Sequence, residues 1–342
     1  EEIFGLNASG RAPAALNADA LRADGATTIG VESATSVTIP GSVDGFFQLS
    51  EQFGRKDMDA CLAPSIHYAE AGVPIAPRTA FDWKIAAGRL KRTAREDYLF
   101  SGNPPKTGQV FRSPKQAEAF KLLAKDGRAA FYNGPIADDL VSALQAAGGC
   151  HTKDDFASTK ADRTVPISSD YRGTEIVEHP PNGQGATALL IANILSHFDF
   201  GSLDPMGAER AHLEIEATKL GYDARNRFIS DPDRMSRLDQ FLSMVTARQL
   251  ASMIDPKRVI EQPSALTESV HKETVYLTVV DRDRMAVSLI YSIFNSFGSG
   301  IASERFGILL QNRGAGFNLI PGHPNEAGGG KRPLHTIIPG ML

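Results

Sequence analysis

A chain of 342 residues, 42% hydrophobic and 22% charged with a formal net charge of −4, carries enough apolar material for one large core or two smaller ones. The mild acidity gives no electrostatic footprint for nucleic acid or an anionic membrane, and no block of basic residues supplies one, so neither is expected as a partner. No apolar run reaches the roughly 18 residues that a membrane-spanning helix needs, and Cys61 and Cys150, far apart in sequence, read as buried thiols with no metal-ligand spacing.

The opening EEIFGLNASGRAPAAL lacks the basic start and apolar run of a secretion signal and reads as a strand tail followed by a turn. Pro40-Gly41-Ser42 then predicts a turn, with Ser42 as N-cap of a helix from about Val43 that Gly54 stops. A second helix is expected over 57–72, with Met58, Cys61, Leu62 and Ile66 as its apolar stripe. His67 lies within it without a partner at metal spacing and is read as structural. Two amphipathic helices follow over 114–147. The acidic pair Asp138 and Asp139 falls in a first helical turn, where the helix dipole favours carboxylates, and is read as scaffold rather than acid/base machinery. After Tyr171-Arg172-Gly173, TEIVEHPP reads as a strand and PPNGQG as the loop opening the helix ATALLIANIL. That loop has neither GxGxxG spacing, nor a Lys-Ser/Thr pair, nor a ribose-binding acid at the right distance, so a nucleotide site is not supported. Two or three helices fill 204–254, their charges at i, i+4 forming a solvated face.

The chemistry concentrates in 272–300. Thr274 to Asp281 and Met285 to Ile293 are dense in β-branched and aromatic residues, and Arg282-Asp283-Arg284 between them predicts a β-hairpin. A polar, irregular tract, 262–273, runs directly into Thr274. Cleavage of the Glu273–Thr274 bond gives this threonine a free α-amine, so that one residue supplies both the nucleophilic hydroxyl and its base. Such an amine titrates near about 7.7–8.0, which leaves a useful neutral fraction at pH 7.

TVYLTVVD, the hairpin, FGSGIASERFGILLQNRGAGF and GKRPLHTIIPGM resemble the small-subunit half of the gamma-glutamyltranspeptidase family of N-terminal-nucleophile hydrolases. Upstream, RAAFYNGPIADDLVSALQAAGGCHTKDDF, the PPNGQG loop and EATKLGYDARNRFISDP resemble its large-subunit half. The resemblance implies an α+β fold, a four-layer αββα sandwich of two antiparallel sheets covered by helices. It also implies one composite domain, in which 1–273 is the large-subunit-like portion and 274–342 the small-subunit-like portion. Beside the family the chain looks shortened at both ends, so the family's oxyanion-hole glycines are expected beyond Leu342.

Setting Thr274 on the family's nucleophile aligns the chain without gaps as far as Phe317 and places Ser292 where the family has a second threonine contacting the nucleophile. Ser292 keeps the donor and acceptor of that role. The amino-acid clamp of a transpeptidase is largely replaced: its positions read Ser9, Phe294, Gly316 and the pair His335 and Thr336. A carboxylate and an ammonium buried there without partners cost several kcal/mol. The residues expected to bind substrate are therefore Arg313, Asn312, His335, Thr336, Asn295 and Arg11. Arg313 is the fork for a carboxylate, and Arg11 stands two places beyond the family's arginine. Asn182, Gly183 and Gln184 are expected to line the cavity, and the short Gly-rich stretch 318–330 to leave an acyl-enzyme open to water.

Three readings stay open: an autoprocessed amidohydrolase for a small carboxylate-bearing amide such as oxamate, a γ-glutamyl hydrolase or transpeptidase or glutaryl-type acylase, and a non-catalytic or unprocessed homologue. The first needs neither metal nor organic cofactor. Its partners are a small amide substrate and the two fragments of one precursor held together. A homodimer of processed units and a cytoplasmic or periplasmic location are left open.

Overall fold

The computed structural model describes residues 2–261 and 274–342; the tract 262–273, with the Glu273 side of the expected cleavage point, lies outside the described residues. Helices and short antiparallel strand pairs alternate along the chain, and the described strands form four two-stranded sheets. Gly5–Asn7 pairs with Asp162–Thr164, Val73–Pro74 with Val110–Phe111, and Ile167–Tyr171 with Thr174–Glu178. The last pair turns through Arg172 and Gly173, both at positive φ (58° and 85°), the twist that a two-residue hairpin loop requires.

The predicted terminal hairpin is present, as Val275–Val280 paired with Ala286–Tyr291 in the register Val275↔Tyr291 through Val280↔Ala286. Its turn is closed by Asp281, whose carboxylate accepts the backbone N–H groups of Asp283 and Met285, both at 2.9 Å. Every residue of the first strand is exposed.

Two helical cores hold this frame. One gathers Val37, Ile39, Phe131, Tyr132, Ile136, Leu140, Leu144 and Phe156. The other packs the helix Gly185–Leu195 against Ala208–Phe228 and Met244–Ala251. The segment after the hairpin is threaded through both: Ile301, Phe306 and Leu310 enter the first, and Leu334 enters the second. Phe317 and Leu319 pack in a third cluster with Ala12 and Leu16 from the start of the chain. Each such side chain contributes about 1.5–3 kcal/mol on burial, so 294–342 is bound to the rest by hydrophobic packing.

Two local expectations change. The helix Ser42–Phe53 takes Gly41, not Ser42, as its N-cap and has no side-chain cap bond. Its start is fixed instead by the Tyr132 hydroxyl, which accepts from the Asp44 N–H at 3.0 Å and donates to the Pro40 carbonyl at 2.8 Å. Asp138 sits in the first turn of Pro135–Ala146 as expected, but Asp139 does something the dipole reading missed. Its carboxylate accepts the backbone N–H groups of Glu304, Arg305 and Phe306 at 3.0–3.1 Å, pinning the post-hairpin segment to that helix.

Candidate active site

A broad open cleft runs along the hairpin, bounded by 5–10, the helix Ser42–Phe53, the strand Thr174–Glu178 and the end of the chain. At about 3170 Å³ it exceeds several-fold the 300–1,000 Å³ of a small-ligand pocket, so the chemistry of its walls, not its volume, locates the site.

The hairpin register places Thr274 opposite Ser292, one step beyond the Val275↔Tyr291 rung. The Thr274 hydroxyl lies 3.5 Å from the Ser292 oxygen, at the outer limit of a hydrogen bond, and Ser292 also accepts the Phe294 N–H at 2.9 Å. Thr274 is exposed; Ser292 lines the cleft, and Thr274 stands beside it without itself being part of the wall.

Immediately after Ser292 the chain bends sharply. Phe294 sits at φ 73°, a conformation costing a bulky residue about 1–3 kcal/mol, and is buried. Asn312 stabilises that bend: it is fully buried, its amide donates to the Val31 carbonyl (2.7 Å) and the Asn295 side chain (3.0 Å), and its oxygen accepts the Asn295 N–H (3.1 Å). Asn312 and Asn295 are thus engaged with each other and neither lines the cleft.

Arg313 does line it. Only 2% exposed, its guanidinium stacks 4.1 Å over the Phe294 ring and donates to the Thr336 hydroxyl at 3.0 Å. His335 lines the same wall, with its backbone N–H on the Asn182 carbonyl at 2.9 Å. Arg313, His335 and Ser292 thus line one cleft, and Thr336 holds the Arg313 guanidinium.

Arg11 is not part of this group. Its guanidinium is surrounded by Asp162 (3.3 Å), Asp231 (3.3 Å) and Asp233 (3.7 Å), and it does not line the cleft. The same network holds Arg332, which donates to Asp162 (2.6 Å) and to the Ser9 carbonyl (2.7 Å), while its backbone N–H reaches Asp231 at 2.6 Å. Burial alone would raise the Asp162 carboxyl, but the Arg332 bond and charge, with Arg11, outweigh it and hold the group below the usual carboxylate range.

Two further clamp positions, Ser9 and Gly316, are taken up by local contacts. Ser9 has its hydroxyl on the Asn7 and Asn182 side-chain oxygens (2.6 and 3.1 Å). A Cβ on Gly316 would approach the Leu334 carbonyl to 2.9 Å, so no acidic side chain fits there without backbone movement. Asn182 and Gly183 line the cleft as expected, whereas Gln184 is turned away to accept from Arg225 at 2.7 Å.

Sequence reasoning missed Glu178 and His179. Glu178 closes its strand 7% exposed, and burial pushes its carboxyl up to about 7. His179 has Nδ1 against the Pro180 carbonyl (3.0 Å), which makes that nitrogen the donor and leaves Nε2 to accept from Thr164 (3.0 Å); burial holds the ring neutral. The available signal was a titratable pair at the end of a strand directly before Pro-Pro. Among the described residues no cluster of His, Cys, Asp and Glu is arranged to hold a metal, and no helix is long and apolar enough to cross a membrane.

Thr274 faces Ser292 across a hairpin in a mixed helix-and-strand fold, and a buried arginine and a histidine line the same cleft as Ser292. The chain belongs to the gamma-glutamyltranspeptidase family, whose model matches residues 1–342. It is 34% identical over 340 residues to the glutathione hydrolase-like YwrD proenzyme of Bacillus subtilis, covering 98% of this chain and 64% of that protein. To the oxamate amidohydrolase proenzyme of Klebsiella pneumoniae it is 31% identical, over 89% of this chain and 58% of that protein. The crystal structure of cephalosporin acylase from Bacillus halodurans superposes with a TM-score of 0.90 at 36% identity, over 99% of this chain and 63% of that one. The chain thus spans less than two thirds of the length of these relatives.

Proposed function

We propose that this chain carries the site of an autoprocessed amidohydrolase that cleaves the amide of a small carboxylate-bearing acyl group, oxamate being the simplest. The observation that carries this reading is the Thr274–Ser292 pair beside the Arg313–Thr336 contact. Breaking the Glu273–Thr274 bond frees the Thr274 amine. The hydroxyl oxygen attacks the amide carbonyl while that amine takes its proton, the nitrogen leaves with the proton returned to it, and water cleaves the resulting ester. Arg313 supplies the positive charge for the substrate carboxylate with His335 as a polar neighbour on the cleft wall, and Ser292 orients the nucleophile.

Portions 1–273 and 274–342 then form one composite unit, held together after cleavage by the burial of Ile301, Phe306, Leu310, Phe317, Leu319 and Leu334. We extend this to the four-layer αββα arrangement, supported by the exposure of the first hairpin strand, whose apolar residues are suited to a sheet-on-sheet contact. The glutathione hydrolase-like and acylase relatives support keeping γ-glutamyl and glutaryl-type donors as a second reading.

Intact mass on the purified protein tests processing: two fragments are expected from the wild type and one chain from Thr274→Ala. Retained splitting in that variant refutes the assignment, and a single chain in both supports an inert homologue. Ammonia release from oxamate, set against chromophore release from γ-glutamyl and glutaryl anilides, decides the acyl group.

A further inference from the structure

Three separated pieces of chain meet at one buried side chain in the cleft wall. Asn182, 1% exposed, accepts on Oδ1 from the Asn7 amide (2.9 Å) and from the Ser9 hydroxyl (3.1 Å). Its Nδ2 donates to the Pro333 carbonyl at 2.7 Å, and its backbone carbonyl accepts the His335 N–H at 2.9 Å. A parallel bridge between Gly183 and His335 continues the contact, and Gln184 N–H reaches the Ile337 carbonyl at 3.3 Å. The segment 333–337 is therefore laid down along the 182–184 loop, and Asn182 fixes its starting point. That segment carries His335 and, one residue on, the Thr336 hydroxyl that receives Arg313.

We propose that Asn182 is a positioning residue for substrate recognition: by tying Pro333 and His335 to the Asn7–Ser9 strand exit, it sets the stretch of cleft wall that carries His335 and holds Arg313 through Thr336, against which the substrate carboxylate rests. This rests on the amidohydrolase reading for what the wall binds, though not for what Asn182 holds. Thr274 and Ser292 are placed by the hairpin ladder and by the Asn312-held bend, whereas the Asn182 side chain is bonded to Asn7, Ser9 and Pro333. Loss of Asn182 should consequently loosen carboxylate binding while sparing the nucleophile.

Three variants separate positioning from bulk stability. Asn182→Ala removes all three side-chain bonds. Asn182→Asp keeps the oxygen that accepts from Asn7 and Ser9 and loses the donor to Pro333. Asn193→Ala is the control, because Asn193 is equally buried (2% exposed) and donates to Ser169 and Leu242, away from the cleft wall. Calorimetric binding of oxamate and of glutarate is measured first, then KM and kcat on whichever amide is turned over, with self-cleavage read by mass. Asn182→Ala is expected to weaken binding and raise KM by tenfold or more, with kcat and self-cleavage within threefold of wild type; Asn182→Asp should fall between, and Asn193→Ala should leave KM unchanged. Equal losses in Asn182→Ala and Asn193→Ala, a fall in kcat without a rise in KM, or no carboxylate binding by the wild type would overturn the proposal. Carboxylate binding that depends on Asn182, without hydrolysis of any amide, would instead refute the amidohydrolase reading and leave the positioning role standing.

Discussion

Replacing Asn312 by alanine tests whether polar bonds, rather than packing, hold Ser292 in place opposite Thr274. The substitution removes three hydrogen bonds around a fully buried side chain, to the Val31 carbonyl, the Asn295 amide oxygen and the Asn295 N–H. At about 1 kcal/mol each for neutral bonds the loss is about 3 kcal/mol, and more if the stranded groups find no water. For a chain of this size that is a fall in Tm on the order of 4 °C. Asn295→Ala removes only the bond its side-chain oxygen accepts, about 1 kcal/mol, because its backbone N–H still reaches Asn312. Thermal unfolding of the three proteins, with self-cleavage followed by mass, should rank wild type, Asn295→Ala and Asn312→Ala in that order. Self-cleavage should slow in step, because the Phe294 N–H that orients the Ser292 oxygen sits in the same bend. An Asn312→Ala protein that melts within about 2 °C of wild type and splits at the same rate would show that the bend is held by something else.

Ser292→Ala should slow self-cleavage by about ten- to a hundredfold, and Ser292→Thr, which keeps the hydroxyl, should restore most of it; equal rates in the alanine and threonine variants would remove Ser292 from the mechanism. Asp231→Ala should cost about 1–3 kcal/mol, because it leaves the buried backbone N–H of Arg332 without its acceptor, whereas Asp233→Ala, at an exposed carboxylate 3.7 Å from Arg11, should stay within about 0.5 kcal/mol in denaturant titration. Glu178 keeps its proton in the folded state up to about pH 7, whereas an unfolded glutamate loses it near about 4.3. Its contribution to stability is thus full below about pH 4.3 and is lost as pH rises through about 7. Wild-type Tm should carry this decline and Glu178→Gln should flatten it; parallel Tm–pH curves would show that Glu178 ionises freely.

The hairpin and its threonine were legible because a strand pair is written in local composition, and the turn residues fix which positions face each other. Once Thr274 opens the first strand, the register alone brings Ser292 opposite. Adjacent residues were harder. Asn312 and Arg313 look equally suited to bind substrate, yet Asn312 spends its amide on the bend while Arg313 stacks on Phe294 at the cleft. Nothing in the order of residues separates them, since the division depends on Val31, 281 positions away. Arg11 was misleading for the same reason: its three carboxylate neighbours lie 151 or more positions downstream, and a count of two places from a family arginine carries no information about them. The Asp139 contact with 304–306 was hidden because a first-turn carboxylate already has a local explanation.

The strands of the hairpin contribute little burial of their own, with Val275 46% and Leu277 44% exposed, so hydrophobic packing does not set the Thr274–Ser292 separation. The ladder sets it from one side and the exit bend from the other. That bend is anchored by Asn312 to Val31, and the chain beyond it enters the helical core at Ile301, Phe306 and Leu310. The Thr274 hydroxyl therefore stands at an exposed strand end whose alignment is determined by hydrogen bonds, and its partner Ser292 lies just ahead of a segment whose position is determined by burial. Such an arrangement permits the backbone ahead of Thr274 to be cut without loosening the fold, because the packing that joins 294–342 to the helices lies wholly on the far side of the hairpin.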